Sequence, residues 1–175
     1  MVISNANIIK KVYFPREILP IAVVTSQAVN FIISTIIILL FCIFSGVGLS
    51  WHIVFYPLIL LVQYLLSIGI SFLISSMTVY LRDLEHLIQI AMMVLFYATP
   101  IVYSLQDIGA RSELFSKILS LNPMAHIIEA YRSIFYYKQL PDFTMLGIIL
   151  AISSVICVAG YMTFKKLEKR FAEEL

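Results

Sequence analysis

The side chains able to do chemistry in this chain are few, and they do not gather. His52, His86 and His126 are far apart and share no spacing that would bring them onto one metal ion. Asp83 and Glu85 are suspects for acid and base work, but no second acidic cluster accompanies them, and a solvated or helix-start role accounts for both. Cys42 and Cys157 lie inside apolar blocks, where thiols are commonly buried and inert, so neither is read as a disulfide partner, a ligand or a nucleophile. There is no G-x-x-x-x-G-K-[ST], H-E-x-x-H, G-x-S-x-G or C-x-x-C string. Neither a catalytic residue nor a metal site is expected.

What chemistry remains is that of polar side chains in apolar surroundings. Ser26, Asn30 and Ser34 recur every four residues, as do Gln63, Ser67, Ser71 and Ser75. On a helix each row is one ridge. Small residues at that spacing let backbones approach, and their hydroxyls and amides can bond across at about 0.6 to 2 kcal/mol each. Helix packing and the lining of a polar path are both open readings of these ridges.

The elements that carry the ridges are membrane spans. Between Glu17 and Arg82 run 64 residues without one Asp, Glu, Lys or Arg, and the whole chain is 61% hydrophobic and 13% charged. Soluble domains carry about 25% charged residues. A hydrocarbon core of ~30 Å takes roughly 20 residues of helix. The first stretch is therefore long enough for two crossings, turning at Ser45 to Ser50. The net charge of +2, with its basic residues scattered, gives no argument for nucleic acid. Nor do the spans hold the acidic and basic residues typical of ion-coupled pumps, so energy for any active transport has to come from elsewhere.

The expected fold is all-α, a polytopic membrane helix bundle with about four transmembrane helices at 18–44, 51–80, 87–105 and 143–164. An even number places both ends on one side. That side carries Lys10, Lys11, Arg16, Arg82, Lys165, Lys166, Lys169 and Arg170, against Arg111, Lys117, Arg132 and Lys138 on the other. Eight basic residues against four make both termini cytoplasmic. Pro20, Pro57 and Pro100 sit in or beside spans and can kink them. Trp51, Tyr80 and Tyr103 fall near span ends as interface anchors. The basic residues before the first apolar block, and the length of that block, are unlike a secretory signal, so the block is expected to remain in the mature protein.

Outside the spans, residues 1–17 form a cytoplasmic segment that mixes Ile8, Ile9, Val12, Tyr13 and Phe14 with Lys10, Lys11, Arg16 and Glu17. It reads either as a lipid-facing interfacial helix or as a docking surface. Residues 106–142 form an outer loop with helices of its own. Asn122 before Pro123 has the form of an N-cap with proline in the first helical position. Ile127, Ile128, Tyr131, Ile134 and Phe135 then recur at helical spacing, with His126, Glu129, Arg132 and Ser133 on other faces. With a shorter helix over 111–121 they would make a re-entrant or interfacial pair. Residues 165–175 form a cytoplasmic tail.

Five strings in order then carry a resemblance: Ile-Lys-Lys-Val-Tyr-Phe-Pro-Arg-Glu at 9–17, Tyr-Leu-Arg-Asp-Leu-Glu-His at 80–86, Thr-Pro-Ile-Val-Tyr at 99–103, Leu-Asn-Pro-Met at 121–124 and Glu-Ala-Tyr-Arg at 129–132. With the ending Leu-Glu-Lys-Arg-Phe-Ala-Glu-Glu-Leu at 167–175, the chain resembles ABC-2 type permeases that export polysaccharide, in particular those of O-antigen, capsule and teichoic acid exporters. Members usually have about six spans, two of them before the first of these strings. The chain therefore looks like the carboxyl-terminal two-thirds of such a permease.

The resemblance implies a membrane permease subunit of an ATP-driven exporter, located in the bacterial inner membrane, that moves lipid-linked polysaccharide from the cytoplasm to the outer face. ATP would be bound by a separate ABC ATPase subunit, and the permease would hold no cofactor. A second permease copy would complete a homodimer around one channel. Lys10, Lys11, Tyr13, Phe14, Pro15, Arg16 and Glu17 would belong to the segment that couples to the ATPase. Residues 114–137 would match the outer gate, with Asn122, Pro123, Glu129 and Arg132 in it, and Tyr97, Tyr103, Tyr131 and Phe135 would be candidates to line the sugar path. Alternatives are a permease for a drug or small lipid, a truncated non-transporting scaffold, and a membrane-embedded transferase using Asp83 and Glu85.

Overall fold

The computed structural model describes residues 15–45, 48, 50–80, 83–98 and 122–168. Among the described residues every regular element is helical. Helix α1 is Ile18–Phe44, a 3₁₀ turn Trp51–Phe55 leads directly into α2, Tyr56–Tyr80, and α3 is Leu84–Ala98. After the undescribed stretch come α4, Pro123–Arg132, a π-helical turn Ser133–Tyr137, and α5, Phe143–Glu168.

Three of these, Ile18–Phe44, Trp51–Val79 and Phe143–Leu167, are long and apolar enough to cross a membrane. The shorter α3 is apolar as well, but its 15 residues reach only about 22 Å at 1.5 Å per residue. It starts at Leu84 rather than the expected 87, and residues 99–105 of that expected span lie outside the described residues. Side chains such as Ile33, Phe41, Leu87, Met93 and Val155 are exposed around the bundle. Water would disfavour such a surface, whereas acyl chains solvate it. The chain is a multi-pass membrane protein with an all-α helix bundle.

Local chemistry fixes the helix limits. Pro20 and Pro57 each occupy the first turn of their helix, where the missing N–H would have had no intrahelical partner. Pro20 begins its span, whereas Pro57 sits where the 3₁₀ turn passes into α2, six residues inside the span Trp51–Val79. Helix α1 ends when Ser45 N–H bonds the Phe41 carbonyl at 2.9 Å and Gly48 N–H bonds the Cys42 carbonyl at 3.2 Å. Gly48 takes a φ of 73°, a region that a Cβ disfavours, so the reversal after α1 depends on glycine there. Ser50 Oγ lies 2.6 Å from His52 Nδ1, which gives this histidine a place in the turn. At α5, Asp142 Oδ1 accepts from the backbone N–H of Thr144 and Met145 at 2.9 and 3.2 Å.

The bundle is organised on one pair. Helices α2 and α5 run side by side in the same direction and make the most extensive packing among the described residues. At their crossing Gly69 faces the Cys157 backbone, and Gly160 faces the Gly69 carbonyl. Lipid gives no hydrophobic reward for helix association, so this close approach of two backbones is the main source of attraction there.

The two ends of the pair receive different guests. At one end Ile59, Val62, Leu66, Leu146 and Ile149 bury against Ile127, Ala130 and Ile134 of α4 and its π turn. At the other, Phe72, Val79 and Phe164 form a second cluster that takes Leu19 from the first turn of α1. Helix α1 lies antiparallel on α2, with Thr25 bonded to the Tyr64 hydroxyl at 2.8 Å and Tyr56 donating to Thr35 Oγ1 at 3.1 Å. Only Pro20 and Thr35 of α1 are buried.

Candidate functional site

Helix α4 begins as its sequence dictates. Asn122 is extended, and its Oδ1 accepts from Met124 N–H at 3.0 Å, while Pro123 opens the first turn. Ala125, Ile127, Ala130 and Ile134 then make the buried face. The π turn that follows ends at Lys138 with φ 53°, where Gln139 N–H reaches back to the Ser133 carbonyl at 3.0 Å. Glu129 and Arg132 pair with one another at 3.2 Å, one turn apart on the same helix.

Tyr131 is the centre of an aromatic cluster built from four elements. Its ring lies 5.6 Å from Phe31 of α1, 5.8 Å from Tyr56 of α2, and is stacked on Phe135 of the π turn at 6.2 Å and 6°. Tyr56 closes the group at 6.0 Å from Phe135. All four rings are half-buried. The Tyr131 hydroxyl donates to Gln63 Oε1 at 2.9 Å, tying α4 to the middle of α2. Burial, with the neighbouring Tyr56 second, holds the Tyr131 phenol well above its ordinary value, so it stays protonated and remains the donor. Such a group can offer aromatic faces and hydrogen-bonding amides and hydroxyls, the chemistry that meets a sugar ring; it has no nucleophile or acid poised for a bond-breaking step.

A second constellation stands at the opposite end of the α2–α5 pair. Glu17 precedes α1, and its Oε1 lies 3.5 Å from Lys165 Nζ on α5. Lys165 also donates to the Tyr161 hydroxyl at 3.1 Å, and that hydroxyl donates to Glu17 Oε2 at 3.4 Å. Pro15 and Arg16 accept the first backbone bonds of the α1 turn, from Ile18 and Leu19 N–H at 3.1 and 3.3 Å.

The expected site residues thus fall into three sets. Tyr131 with Phe135, Glu129 with Arg132, and Asn122 with Pro123 come together on α4 and its extension. Lys10, Lys11, Tyr13, Phe14 and Tyr103 lie outside the described residues, and for Tyr97 only the backbone, in α3, is described. The polar ridges behave differently from one another. In α2, Gln63 is engaged by Tyr131, Ser75 is buried, and Ser67 and Ser71 are half-buried. In α1, Ser26, Asn30 and Ser34 are exposed, because the face turned to α2 is instead that of Phe31 and Thr35. Among the described residues nothing buries that ridge. Among the described residues no three His, Cys, Asp or Glu side chains gather as metal ligands.

Phe31, Tyr56 and Tyr161 carry no signal in the sequence, and Lys165 counts there only among the basic residues of one membrane side. Tyr56 sits in the apolar run 53–62 and Phe31 directly follows Asn30 of the polar ridge, and in neither place does an aromatic carry a positional signal. Only contact across helices reveals them.

Against known families, residues 1–136 match the ABC-2 type transporter model. The chain belongs to the ABC-2 type transporter family. It is 33% identical, over 98% of its length, to the O-antigen export system permease protein RfbA of Myxococcus xanthus. It is 34% identical, over 99% of its length, to each of two proteins of that name from Klebsiella pneumoniae. The chain spans 66% of the length of each of these relatives. ABC-2 type chains are transport permeases.

Proposed function

We propose that this chain is the membrane permease subunit of an ABC exporter that carries lipid-linked polysaccharide from the cytoplasm to the outer face of a bacterial inner membrane. The observation that carries the reading is the similarity, over nearly the whole chain, to permeases named for O-antigen export. The Tyr131 cluster supports it. Sugar rings present C–H faces that stack on aromatic rings, and stacking tolerates sliding better than a set of directed hydrogen bonds.

In this reading both ends of the chain are cytoplasmic, residues 10–17 dock on a separate ATPase subunit, and α4 with its π turn belongs to the outer gate. Two copies of the permease share one channel. ATP is bound and hydrolysed in the partner, and the permease needs no cofactor of its own. Tyr131, Phe135, Tyr56 and Phe31 border the sugar path, while Asn122 and Pro123 fix where the gate helix begins.

The test uses the permease as its cell makes it. Phe14→Ala combined with Arg16→Glu is expected to weaken copurification of the ATPase and to abolish surface polysaccharide. Undiminished association and export would overturn the coupling assignment. Export of a non-sugar lipid or drug, with surface polysaccharide unaffected by deletion, would move the cargo to another class.

A further inference from the structure

We infer that Glu17, Tyr161 and Lys165 form the joint through which movement of the segment before α1 enters the bundle, and that it travels to α4 along the α2–α5 pair rather than along α1. The inference rests on the coupling role proposed above for residues 10–17 and adds the route by which that coupling proceeds.

Three features of the geometry carry it. Glu17 is held to α5, 144 positions away in sequence from Tyr161, by an ion pair at 3.5 Å and the Tyr161 hydrogen bond at 3.4 Å. Immediately after it, Leu19 packs on Phe72, Val79 and Phe164, and Pro20 is fully buried, so the entry of the chain is seated on α2 and α5 together. The rest of α1 is a weak transmitter. Beyond Pro20 only Thr35 is buried; α1 meets α2 through hydroxyl bonds at Thr25 and Thr35 and touches α4 through a single tilted ring contact, half-buried Phe31 at 5.6 Å from Tyr131, with no buried apolar cluster of its own there.

The α2–α5 pair is the stiffer path. At Gly69 and Gly160 backbone lies against backbone, with no side chain between them to absorb a displacement. From Lys165 the pair extends roughly 28 Å to Leu146, at 1.5 Å per residue. There Leu146 and Ile149 bury against Ile127, Ala130 and Ile134 of the gate element. Packed cores shift as units more readily than they deform, so a push applied at Lys165 and Tyr161 arrives at α4.

The experiment compares Glu17→Gln, Lys165→Met, the double variant and the reversed pair Glu17→Lys with Lys165→Glu, in the permease as its cell makes it, with its ATPase. Membrane abundance, ATPase copurification and polysaccharide export are measured together. The joint predicts unchanged abundance in every variant, unchanged copurification in Lys165→Met, export per copurified ATPase lowered about two- to fivefold by each single change, as suits an accessible ion pair, a double variant no worse than the poorer single, and recovery of most export in the reversed pair. Either of two results overturns it: export at the unaltered level in both single variants, or losses that multiply in the double with no recovery on reversal. If the unaltered permease retains no ATPase at all, the coupling reading itself falls and the joint's role with it. That failure is told apart by loss of copurification rather than of export alone.

Discussion

Gly160 stands so close to Gly69 that a Cβ added to it would lie 2.5 Å from the Gly69 carbonyl oxygen, and a Cβ added to Gly69 would lie 2.7 Å from the Cys157 backbone nitrogen. Those neighbours are backbone atoms of regular helices, which cannot rotate aside as a side chain can. An added methyl therefore parts the helices along their length and weakens both end clusters. Gly69→Ala and Gly160→Ala are each expected to cost about 1–3 kcal/mol, the usual range for overpacking. Gly147→Ala is the control, because a Cβ there meets nothing within 4 Å; it should fall within about 0.5 kcal/mol of the parent. Thermal melts of the detergent-purified protein compare the three. A Gly160→Ala protein as stable as Gly147→Ala would contradict the close crossing.

The bond from the Tyr131 hydroxyl to Gln63, at 2.9 Å, is a polar tie between α4 and a span. Tyr131→Phe keeps the ring and its stacking but leaves the Gln63 carbonyl without that donor. Gln63→Leu leaves the hydroxyl without its acceptor. A double-mutant cycle should return a coupling of about 0.6–1.7 kcal/mol, the range for interhelical bonds in membranes. Additive single effects would mean that the two groups do not meet.

The same tyrosine has a signature in alkali. Its pKa is raised in the folded protein above the ordinary 10.0, chiefly by burial. The stability this contributes is present in full below pH 10 and is lost as pH rises from there toward the folded value, since the unfolded chain gives up the proton first. Stability should be insensitive to this group between about pH 6 and 9. Above pH 10 it should fall, and fall less steeply in Tyr131→Phe. Parallel pH–melting curves for parent and variant above pH 10 would contradict the assignment.

How far the sequence reaches can be judged from individual residues. Ile18–Phe44 has the limits that its charge-free run suggested, because Glu17 and Ser45 bound it on either side. Asn122 and Pro123 were legible as a helix start since cap chemistry is local. The Asp142 cap of α5 uses the same chemistry and was open to the same reading, as an Asp just before an apolar run. The glycines were a different matter. Gly69 and Gly160 are single residues in separate helices, and nothing local says that they meet, whereas the rows of serines did suggest contact. Each long apolar helix has several rows at four-residue spacing, and only the choice of neighbour decides which one packs. In α1 that choice went to Phe31 and Thr35, leaving Ser26, Asn30 and Ser34 outside. The Glu17–Lys165 contact was hidden for the same reason, since it joins the two ends of the chain's spans.

The Asn122 cap offers a local test of the gate role proposed for α4. Helix α4 is 10 residues long, too short to persist on its own propensity, and the Asn122 side-chain oxygen, 3.0 Å from Met124 N, is a partner for the unpaired N–H groups of its first turn. Asn122→Ala removes it and should cost about 0.5–2 kcal/mol, whereas Asn122→Asp retains the acceptor and should cost far less. Because Ile127 is buried against α2 and α5 only while that first turn is formed, the loss should first be felt as local opening rather than global unfolding. Hydrogen exchange over peptides covering 122–132 should quicken in Asn122→Ala by roughly the tenfold that each 1.4 kcal/mol represents, with peptides of α2 and α5 unchanged. Quickening spread evenly over all helices would mean that α4 opens only with the whole bundle, and it would then be too rigid to serve as a gate.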